Sequence, residues 1–493
     1  MDSKIGHIVQ ILGTLDSRKY KAIEFSINDF SRKSKLVAES LYYYLTEREK
    51  DRSWRVVIII PESLITLFAD PSEGCIEENA LKEKITEKFW DSGLVEVNKH
   101  SIDIIICPSI GLFTFRNKGF SIRYKNNYGN IVLGILFELL KRVKDQNDVK
   151  VFFSITTGHN IYVSATIEAL RYLIVYWKLR NMLTNNRKLD VKLVSHDPII
   201  GIEDIKRSHV EFIDYDVKAF FSYPMKEGIK LLDLFAGEAK EEGKNIIESS
   251  KTIKRMYNEI KQAVDLRAEF NAVLYNVPLA FLHGSDVLRV GSLSEDEINN
   301  VFQELEDLIK ELRNRRCRLV NEERVIEVEY IPLNHRNIAN ILLTQALSIS
   351  IYNFYKNEFT KIIFNDTDGK WIKIDDMLET FSKVYKNLGL YLNIRFLERE
   401  IKILKQYKDS KKFEEKNPIS LRDLKNKNSN KETETKREVQ KPTDPKRNFF
   451  AHCGILDNIT LVKKIKGELF IRWKLDSNRR EEIKIWLLKP EKI

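Results

Sequence analysis

Residues 151–183 have the sequence VFFSITTGHNIYVSATIEALRYLIVYWKLRNML, in which an apolar run, a short polar loop and a long helical pattern follow one another. Val151–Ile155 has the length and residue types of a buried strand. Ile161–Leu183 has apolar residues at three- and four-residue spacing, which is typical of a helix. Parallel strands need a crossover connection, and a strand that leads directly into a helix supplies one. This stretch therefore predicts a parallel α/β fold around it.

The same alternation extends over the first two hundred residues. Further strands are predicted at Ile8–Leu12, Val56–Ile60, Ile102–Cys107 and Val191–Ser195. Further helices are predicted at Lys35–Glu49, Asn79–Trp90 and Asn130–Val143. Near-continuous apolar strands between helices indicate a mostly parallel sheet covered on both faces. We therefore predict a Rossmann-like α/β domain over residues 1–215.

Two loops that follow predicted strands are candidates for ligand binding. In open α/β sheets, ligands bind outside the carboxyl ends of the strands. The first loop is Gly13-Thr14-Leu15-Asp16-Ser17, and the second is Thr156-Thr157-Gly158-His159-Asn160. A further segment, Ile110-Gly111, follows another predicted strand and could line the same ligand site by its position. Hydroxyls, glycines and helix N-terminal amides together can hold phosphate groups. The alternative is that these are ordinary turns whose Thr or Asn caps a helix. The sequence contains neither GxGxxG nor GxxxxGK[ST], which argues against an ordinary NAD enzyme or P-loop ATPase.

The pattern becomes mainly helical after residue 215. Long helices are predicted at Ile246–Phe281, Ser294–Arg316, His335–Phe364 and Asp376–Tyr407, and short strands at Glu468–Lys474 and Glu482–Leu488. We expect residues 216–330 to be a helical region that connects two domains or joins the core of the second, and residues 331–493 to form that second domain. Residues 408–443 are rich in Lys, Glu, Asn, Ser and Thr, which predicts a mobile insertion.

Composition indicates an intracellular, soluble protein with an anionic partner. The 493 residues carry a formal net charge of +10 at a pI near 9.0, which favours binding to a polyanion. No apolar run is long enough for a membrane span, and the amino terminus does not have the pattern of a signal sequence. The four cysteines lie far apart without zinc-ligand spacing and are expected to be reduced thiols. We therefore predict a cytoplasmic protein without a metal site.

The stretch Arg447-Asn448-Phe449-Phe450-Ala451-His452 is the strongest candidate for chemistry. Asp444-Pro445 just before it can start a helix, because Asp caps helices and Pro suits their first position. The guanidinium is a fixed cation, and the imidazole titrates near neutrality. A five-residue separation is about 500° of helix rotation, so one copy alone would make a poor site, whereas two copies across a two-fold axis could converge on one phosphate. The small residues Ala451, Cys453 and Gly454 would let another backbone approach. The alternative is a structural role, with Arg447 in a salt bridge and His452 capping the helix or packing.

This stretch resembles the HEPN ribonucleases, whose R-x4-6-H motif is matched by Arg447 and His452 and whose frequent Asn after the arginine is matched by Asn448. The whole order of domains resembles the CARF-HEPN ancillary ribonucleases of type III CRISPR systems, which are activated by cyclic oligoadenylate. Members of that group often carry Thr-His-Gly-x-Asn after a central strand, and this chain has Thr156-Thr157-Gly158-His159-Asn160. The departure is Thr157 where His is usual.

The resemblance implies a metal-independent endoribonuclease that cuts single-stranded RNA in antiviral defence. It implies a homodimer, with further assembly open, whose CARF pockets bind a cyclic oligoadenylate as allosteric activator, the tetramer being the expected ring. It also implies attack of the RNA 2′-hydroxyl on phosphorus, leaving 2′,3′-cyclic phosphate and 5′-hydroxyl ends. Arg447 would stabilise charge on the phosphoryl oxygens, His452 would transfer protons, and Asn448 would orient the helix or the phosphate.

Two other functions fit parts of the sequence. A CARF-containing transcription regulator would bind duplex DNA through its helical region and would not need the arginine–histidine pair. A small-molecule α/β enzyme would use Asp16 or His159 in the sheet crevice, but it lacks a matching acid, base and cofactor motif. Thr14, Thr156 or His159 could also serve a sensor that degrades its own activator.

Overall fold

The computed structural model describes residues 4–71, 77–115, 119–156, 160–183, 187–197, 206–217, 222–313, 316–320, 324–415, 417–426 and 444–490. The chain divides into two compact units. The first comprises Met1–Lys178, Asn186–Ile260 and Phe302–Leu343, and the second comprises Leu179–Asn185, Lys261–Val301 and Thr344–Ile493. The expected domain boundaries at residues 215 and 330 stay a prediction. No helix in the described ranges is long and apolar enough to cross a membrane.

The strands of the first unit form two sheets. In chain order they are β1 (Lys4–Ile11), β2 (Ile23–Ile27), β3 (Phe30–Ser34), β4 (Ser53–Pro61), β5 (Ile102–Cys107), β6 (Gly111–Thr114), β7 (Ser121–Lys125), β8 (Asp148–Ser154), β9 (Lys188–His196), β10 (Arg207–Asp214), β11 (Arg316–Val320) and β12 (Val325–Glu329). Among the described residues, the larger sheet has the order β3-β2-β10-β9-β8-β1-β4-β5 and the smaller one β11-β12-β7-β6.

The helices of the chain are α1 (Val37–Arg48), α2 (Glu78–Asp91), α3 (Tyr128–Val143), α4 (Asn160–Arg180), α5 (Lys240–Ser249), α6 (Lys251–Val264), α7 (Arg267–Leu274), α8 (Leu279–Leu282), α9 (Gly284–Val287), α10 (Glu295–Arg313), α11 (His335–Phe354), α12 (Ile374–Asn387), α13 (Tyr391–Lys405), α14 (Lys412–Glu415), α15 (Leu421–Asn426), α16 (Pro445–Ala451) and α17 (Ser477–Leu488). The second unit also has the strands β13 (Ile363–Asp366), β14 (Gly369–Lys373), β15 (Ile419–Ser420), β16 (Thr460–Ile465) and β17 (Glu468–Trp473).

The predicted parallel sheet is confirmed. The five predicted strands correspond to β1, β4, β5, β8 and β9, and every neighbouring pair among them is parallel. Ile58, Ile59 and Ile60 on β4 are all fully buried, so both faces of the sheet are covered at this strand. This explains why the central strands are apolar runs without alternation. The four helices predicted in this region are present as α1 to α4.

The second unit is largely helical, as predicted for the carboxy-terminal region, but it also contains a five-stranded sheet of order β13-β14-β17-β16-β15 among its described residues. Its core includes a cluster of aromatic rings. Phe281 lies within 5.9 Å, centroid to centroid, of the rings of Phe354, Phe359 and Phe381. Asn271 on α7 donates to the carbonyl oxygen of Leu487 on α17 at 2.6 Å, which ties these two helices together.

Several sequence predictions for the second half of the chain were wrong in detail. Residues 216–330 are not purely helical, since they contain β11 and β12. The run predicted as one helix at Ile246–Phe281 is broken, with Asn276 at a positive φ of 61°. The run Asp376–Tyr407 is broken at Gly389, whose φ is +71°. The predicted strand Glu482–Leu488 belongs to helix α17, because Ile483, Trp486 and Leu487 are buried at helical spacing.

The predicted mobile insertion is partly structured where it is described. The strand β15 pairs with β16, and Leu421 and Leu424 of α15 are buried. A few buried apolar side chains are enough to hold this polar stretch against the rest of the unit. A prediction from average composition misses them because they are few. Residues 427–443 lie outside the described residues. The cysteines also differ from expectation, because Cys317 is disulfide-bonded while Cys107 and Cys453 are free and buried.

Candidate functional site

Helix α16 begins as the sequence predicts. The Asp444 carboxylate accepts hydrogen bonds from the backbone N–H groups of Lys446 at 2.9 Å and Arg447 at 3.5 Å, and Pro445 occupies the first turn. Such a cap satisfies N–H groups that have no partner within the helix. The cap therefore fixes the start of the helix that carries Arg447 and Asn448.

The helix ends at Ala451, directly before His452. The N–H of His452 still bonds to the carbonyl of Asn448 at 3.1 Å, but Cys453 and Gly454 adopt positive φ values of 54° and 73°. The N–H of Gly454 turns back to the carbonyl of Phe449 at 2.8 Å, which closes the helix end. His452 is thus the C-cap residue, so a helix rotation of 500° does not describe its position relative to Arg447.

The turn after His452 is held by aromatic side chains of the same chain. Phe449 is fully buried and packs on the rings of Trp473 at 5.7 Å and Trp486 at 5.3 Å. Trp473 Nε1 donates to the carbonyl of Gly454 at 2.8 Å. We predicted that another backbone would approach the small residues of this helix. At Gly454 the close neighbour is instead the side chain of Trp473 from the same chain, whereas Ala451 is exposed.

His452 is oriented by an acidic residue that sequence analysis did not identify. Its Nδ1 lies 3.2 Å from Glu400 Oε1, and the exposed fractions of the two side chains are 42% and 7%. An ionised carboxylate can only accept, so this contact favours the hydrogen on Nδ1, and in the neutral imidazole Nε2 then keeps its lone pair. The arrangement presents Nε2 as a proton acceptor.

One feature of the sequence could have identified Glu400. On α13, Leu397, Glu400, Ile401 and Leu404 form a buried stripe at helical spacing, in which a glutamate stands where an apolar residue is expected. A buried carboxylate is costly unless it is paired. The adjacent Arg399 lies 3.8 Å from the same carboxylate oxygen, but the hydrogen-bond partner His452 is 52 residues away in the sequence, so spacing alone could not identify it.

Arg447 and Asn448 complete the predicted set. Arg447 is exposed, and within the described part of the chain no carboxylate lies within ion-pair distance of its guanidinium. Asn448 is half-buried on the same helix. The structure therefore places a fixed cation and an oriented imidazole at the two ends of one short helix. Such a pair can bind a phosphate and move a proton beside it.

In the first unit, two predicted loops begin at the carboxyl ends of neighbouring strands of the large sheet. β1 pairs with both β4 and β8. Among the five central parallel strands, β4 and β5 lie on one side of β1, and the later strands β8 and β9 lie on the other. This reversal of strand order lies between β1 and β8, where such sheets open a crevice for ligands. Gly13, Thr14 and Thr156 lie directly after these two strands, and Asn160 is the first residue of α4.

Neighbouring groups already bond several side chains of these loops. The Thr14 hydroxyl accepts from the N–H of Asp16 at 3.2 Å, and Thr156 Oγ1 accepts from the N–H of His196 at 3.0 Å. Asp16 receives two hydrogen bonds of 2.9 Å from Arg18, whose side chain is 76% exposed. Leu15 is buried in the core. Thr157, Gly158 and His159 lie outside the described residues.

Ile110 and Gly111 follow the edge strand β5, which is separated from β1 by β4. Gly111 has a φ of +111° and begins β6. The adjacent Ser109 accepts a hydrogen bond at 3.0 Å from the hydroxyl of Tyr162, in the first turn of α4. The loop after β5 therefore contacts the helix that follows β8, although the strands themselves are not neighbours.

Comparison with known proteins gave matches in both halves of the chain. Residues 7–198 match the family described as CRISPR system endoribonuclease Csx1, CARF domain, and residues 390–475 match the HEPN domain of the same description. A CRISPR system endoribonuclease Csx1 from Methanocaldococcus jannaschii is 27% identical over 278 residues, which is 53% of this chain and 52% of the relative. The chain thus spans about half the length of this curated relative. Arg447, His452 and Glu400 all lie within the HEPN match.

Proposed function

Because the chain belongs to the Csx1 family of CARF–HEPN proteins of CRISPR systems, we propose that it is an endoribonuclease that cuts single-stranded RNA when its CARF domain binds a cyclic oligoadenylate. The observation that carries this proposal is the half-exposed imidazole of His452, held by the buried Glu400 carboxylate beside a helix that bears the exposed Arg447.

The proposed reaction needs only groups that the chain and the RNA supply. The 2′-hydroxyl oxygen forms a bond to the adjacent phosphorus, and the bond from phosphorus to the 5′ oxygen breaks. His452 Nε2 takes the proton of the 2′-hydroxyl, or in its protonated form gives one to the departing 5′ oxygen. Arg447 stabilises the charge on the phosphoryl oxygens, and Asn448 orients the phosphate or the helix. The products are a 2′,3′-cyclic phosphate and a 5′-hydroxyl, without a metal ion.

In this proposal two copies of the chain form the active enzyme in the cytoplasm. Tyr391, Leu392 and Phe396 on α13 expose 59%, 65% and 48% of their surface. They lie on the helix that supplies Glu400, close in sequence to the group that orients His452. A second copy covering these side chains would bring two Arg447–His452 pairs to one RNA phosphate.

The activator would bind in the crevice between β1 and β8. Gly13, Thr14, Thr156 and Asn160 border it, and the exposed cation of Arg18 beside Asp16 suits a phosphate-rich ligand. Arg18 is a residue that sequence analysis did not select. The expected ligand is cyclic tetra-adenylate, with binding at the CARF domain changing the activity of the HEPN pair.

The test is cleavage of a labelled single-stranded RNA in EDTA, with and without cyclic tetra-adenylate, by the parent and by His452→Ala. We expect cleavage that requires the activator, ends in 2′,3′-cyclic phosphate and falls by about 100-fold or more in the variant. RNA that survives with the parent at every ring size of cyclic oligoadenylate would refute the nuclease proposal. Sequence-specific duplex DNA binding in that case would favour a regulator instead.

A further inference from the structure

A cavity of about 360 Å³ lies in the second unit, away from the Arg447–His452 pair. Four of its lining residues are cations from three parts of the chain: Lys370 on β14, Arg472 and Lys474 on and just after β17, and Arg480 on α17. Asp286 is its one acidic lining residue among the described residues. Four positive groups around one cavity repel each other unless an anion joins them.

The charges of this cavity are only partly neutralised by the protein. Arg480 lies 3.5 Å from Asp286, and Arg472 donates to the carbonyl of Asp368 while its guanidinium covers the ring of Trp371 at 4.5 Å. Lys370 and Lys474 are exposed, and in the described part of the chain neither is within ion-pair distance of a carboxylate. Two ammonium groups that line the cavity are therefore available to an anion.

The cavity is also lined by His283 and Trp473, whose rings stack and carry no charge. His283 lies parallel to Trp473, with 5.3 Å between the ring centroids and 14° between the planes. Its Nε2 accepts a hydrogen bond from the N–H of Trp473 at 3.1 Å. Burial lowers the pKa of His283 to about 4, so the imidazole is neutral at ordinary pH. The positive charge of the cavity therefore comes from the lysine and arginine side chains.

The same tryptophan connects the cavity to the cleavage motif. Trp473 lines the cavity, while its Nε1 holds the carbonyl of Gly454, two residues after His452. Trp473 is thus a residue that the cavity shares with the turn after His452. The anion that the proposed reaction brings to this turn is the RNA strand itself.

We propose that this cavity binds a backbone phosphate of the RNA substrate, away from the bond that is cut. The inference rests on the proposed function, because it takes the RNA to lie along the Arg447–His452 motif. Lys370 and Lys474 would contact the phosphate directly, and Arg472 and Arg480 would raise the local positive potential. Such contacts add affinity without reading the base sequence.

The test measures binding of a labelled single-stranded RNA over a range of salt concentrations, in a His452→Ala background that leaves the RNA intact. We expect Lys370→Gln with Lys474→Gln to weaken binding by about tenfold at low salt and to reduce the slope of log affinity against log salt by about 1 to 1.5. The matched control is Lys361→Gln with Lys386→Gln, two exposed lysines of the same unit outside the cavity. The control should change affinity by less than about twofold.

Equal affinity and equal salt slopes in the two double variants would overturn the inference. Lys370→Arg with Lys474→Arg keeps the charge and should bind like the parent, so an equal loss there would also contradict a phosphate contact. Cleavage by the enzyme with an intact His452 is measured on the same RNA. If the enzyme cleaves RNA but the lysine substitutions do not change RNA binding, only the cavity proposal is refuted. If the enzyme does not cleave RNA, the proposed nuclease function is refuted, and the binding result is judged separately.

Discussion

At the scale of single residues, Glu400 controls the orientation of His452. Its carboxylate lies 3.2 Å from Nδ1 and is almost fully buried. We expect Glu400→Gln to lower kcat by roughly tenfold to a hundredfold, because the amide has no charge to stabilise a protonated imidazole. Affinity for an RNA with a 2′-deoxy nucleotide at the cleavage site should stay within about twofold of the parent, since the change does not touch the phosphate contacts.

The control for Glu400 is Glu398→Gln, which removes the same charge from an exposed position of the same helix. It should leave kcat within about twofold of the parent. Equal kcat values for Glu400→Gln and the parent would show that the carboxylate does not position the imidazole. A loss of RNA affinity equal to the loss of kcat would indicate a general disturbance of the site.

A second buried carboxyl group, Glu269, should make stability depend on pH. Burial raises its pKa to about 7, although it accepts a hydrogen bond of 2.9 Å from the N–H of Val290. Between about pH 4.5 and 7 the unfolded chain loses this proton and the folded chain keeps it. Stability should therefore fall by about 3 kcal/mol as pH rises through this window, and then stay level.

The glutamine in Glu269→Gln cannot ionise, so the stability of this variant should fall less than that of the parent as pH rises. The measurement is urea unfolding of the parent and the variant at pH 5 and pH 7.5, followed by the difference between the two pH values. The parent should lose more stability than the variant over this interval. An equal loss in both proteins would mean that Glu269 is ionised in the folded state.

At the scale of elements, the start of α16 could be predicted from sequence and its end could not. Asp444 and Pro445 act locally, through a cap and a fixed φ, so their effect is visible in the neighbouring residues. The end depends on Trp473, which lies on the strand β17 and donates a hydrogen bond to the carbonyl of Gly454. The parallel strands were predicted for a similar reason, since their apolar runs are local signals, whereas short strands such as β6 and β11 depend on partners far away in the chain.

The exit turn of α16 should be sensitive to any side chain at Gly454. A Cβ there would lie 2.8 Å from Val277 Cγ1 and 3.0 Å from Trp473 Cζ2, and the φ of +73° is unfavourable for alanine. We expect Gly454→Ala to destabilise the fold by about 2 to 4 kcal/mol, from backbone strain and steric overlap together. Urea unfolding measures this loss, and RNA cleavage should fall because His452 shifts with the turn.

Gly389→Ala separates the two causes. Gly389 has nearly the same φ, +71°, but nothing lies within 4 Å of its Cβ position among the described residues. It should cost only the backbone strain of about 1 to 2 kcal/mol and leave cleavage unchanged. Equal losses of stability in the two variants would show that the side chains of Val277 and Trp473 move aside without a measurable loss of folding free energy.

At the scale of the whole molecule, the proposed dimer makes activity depend on protein concentration. The exposed side chains of Tyr391, Leu392 and Phe396 are the apolar surface that a second copy would cover. A composite site of two copies is lost when the dimer dissociates, so specific activity should fall on dilution. The sequence suggested a dimer through the spacing of Arg447 and His452 and through the resemblance. It could not identify the surface involved, because single-chain patterns do not distinguish a surface that a partner covers from an ordinary exposed residue.

Leu392→Lys tests this surface, because burying an unpaired ammonium group in an interface costs more than leaving it in water. We expect the variant to sediment as a monomer where the parent is a dimer, and to cleave RNA at least about tenfold more slowly at that concentration, with partial recovery as concentration rises. Ile485→Lys is the matched control, since Ile485 is 57% exposed on α17 of the same unit. It should remain dimeric and active. A Leu392→Lys protein that is dimeric with parental activity would exclude this face of α13 from the interface, and a parent that is fully active as a monomer would refute the composite site.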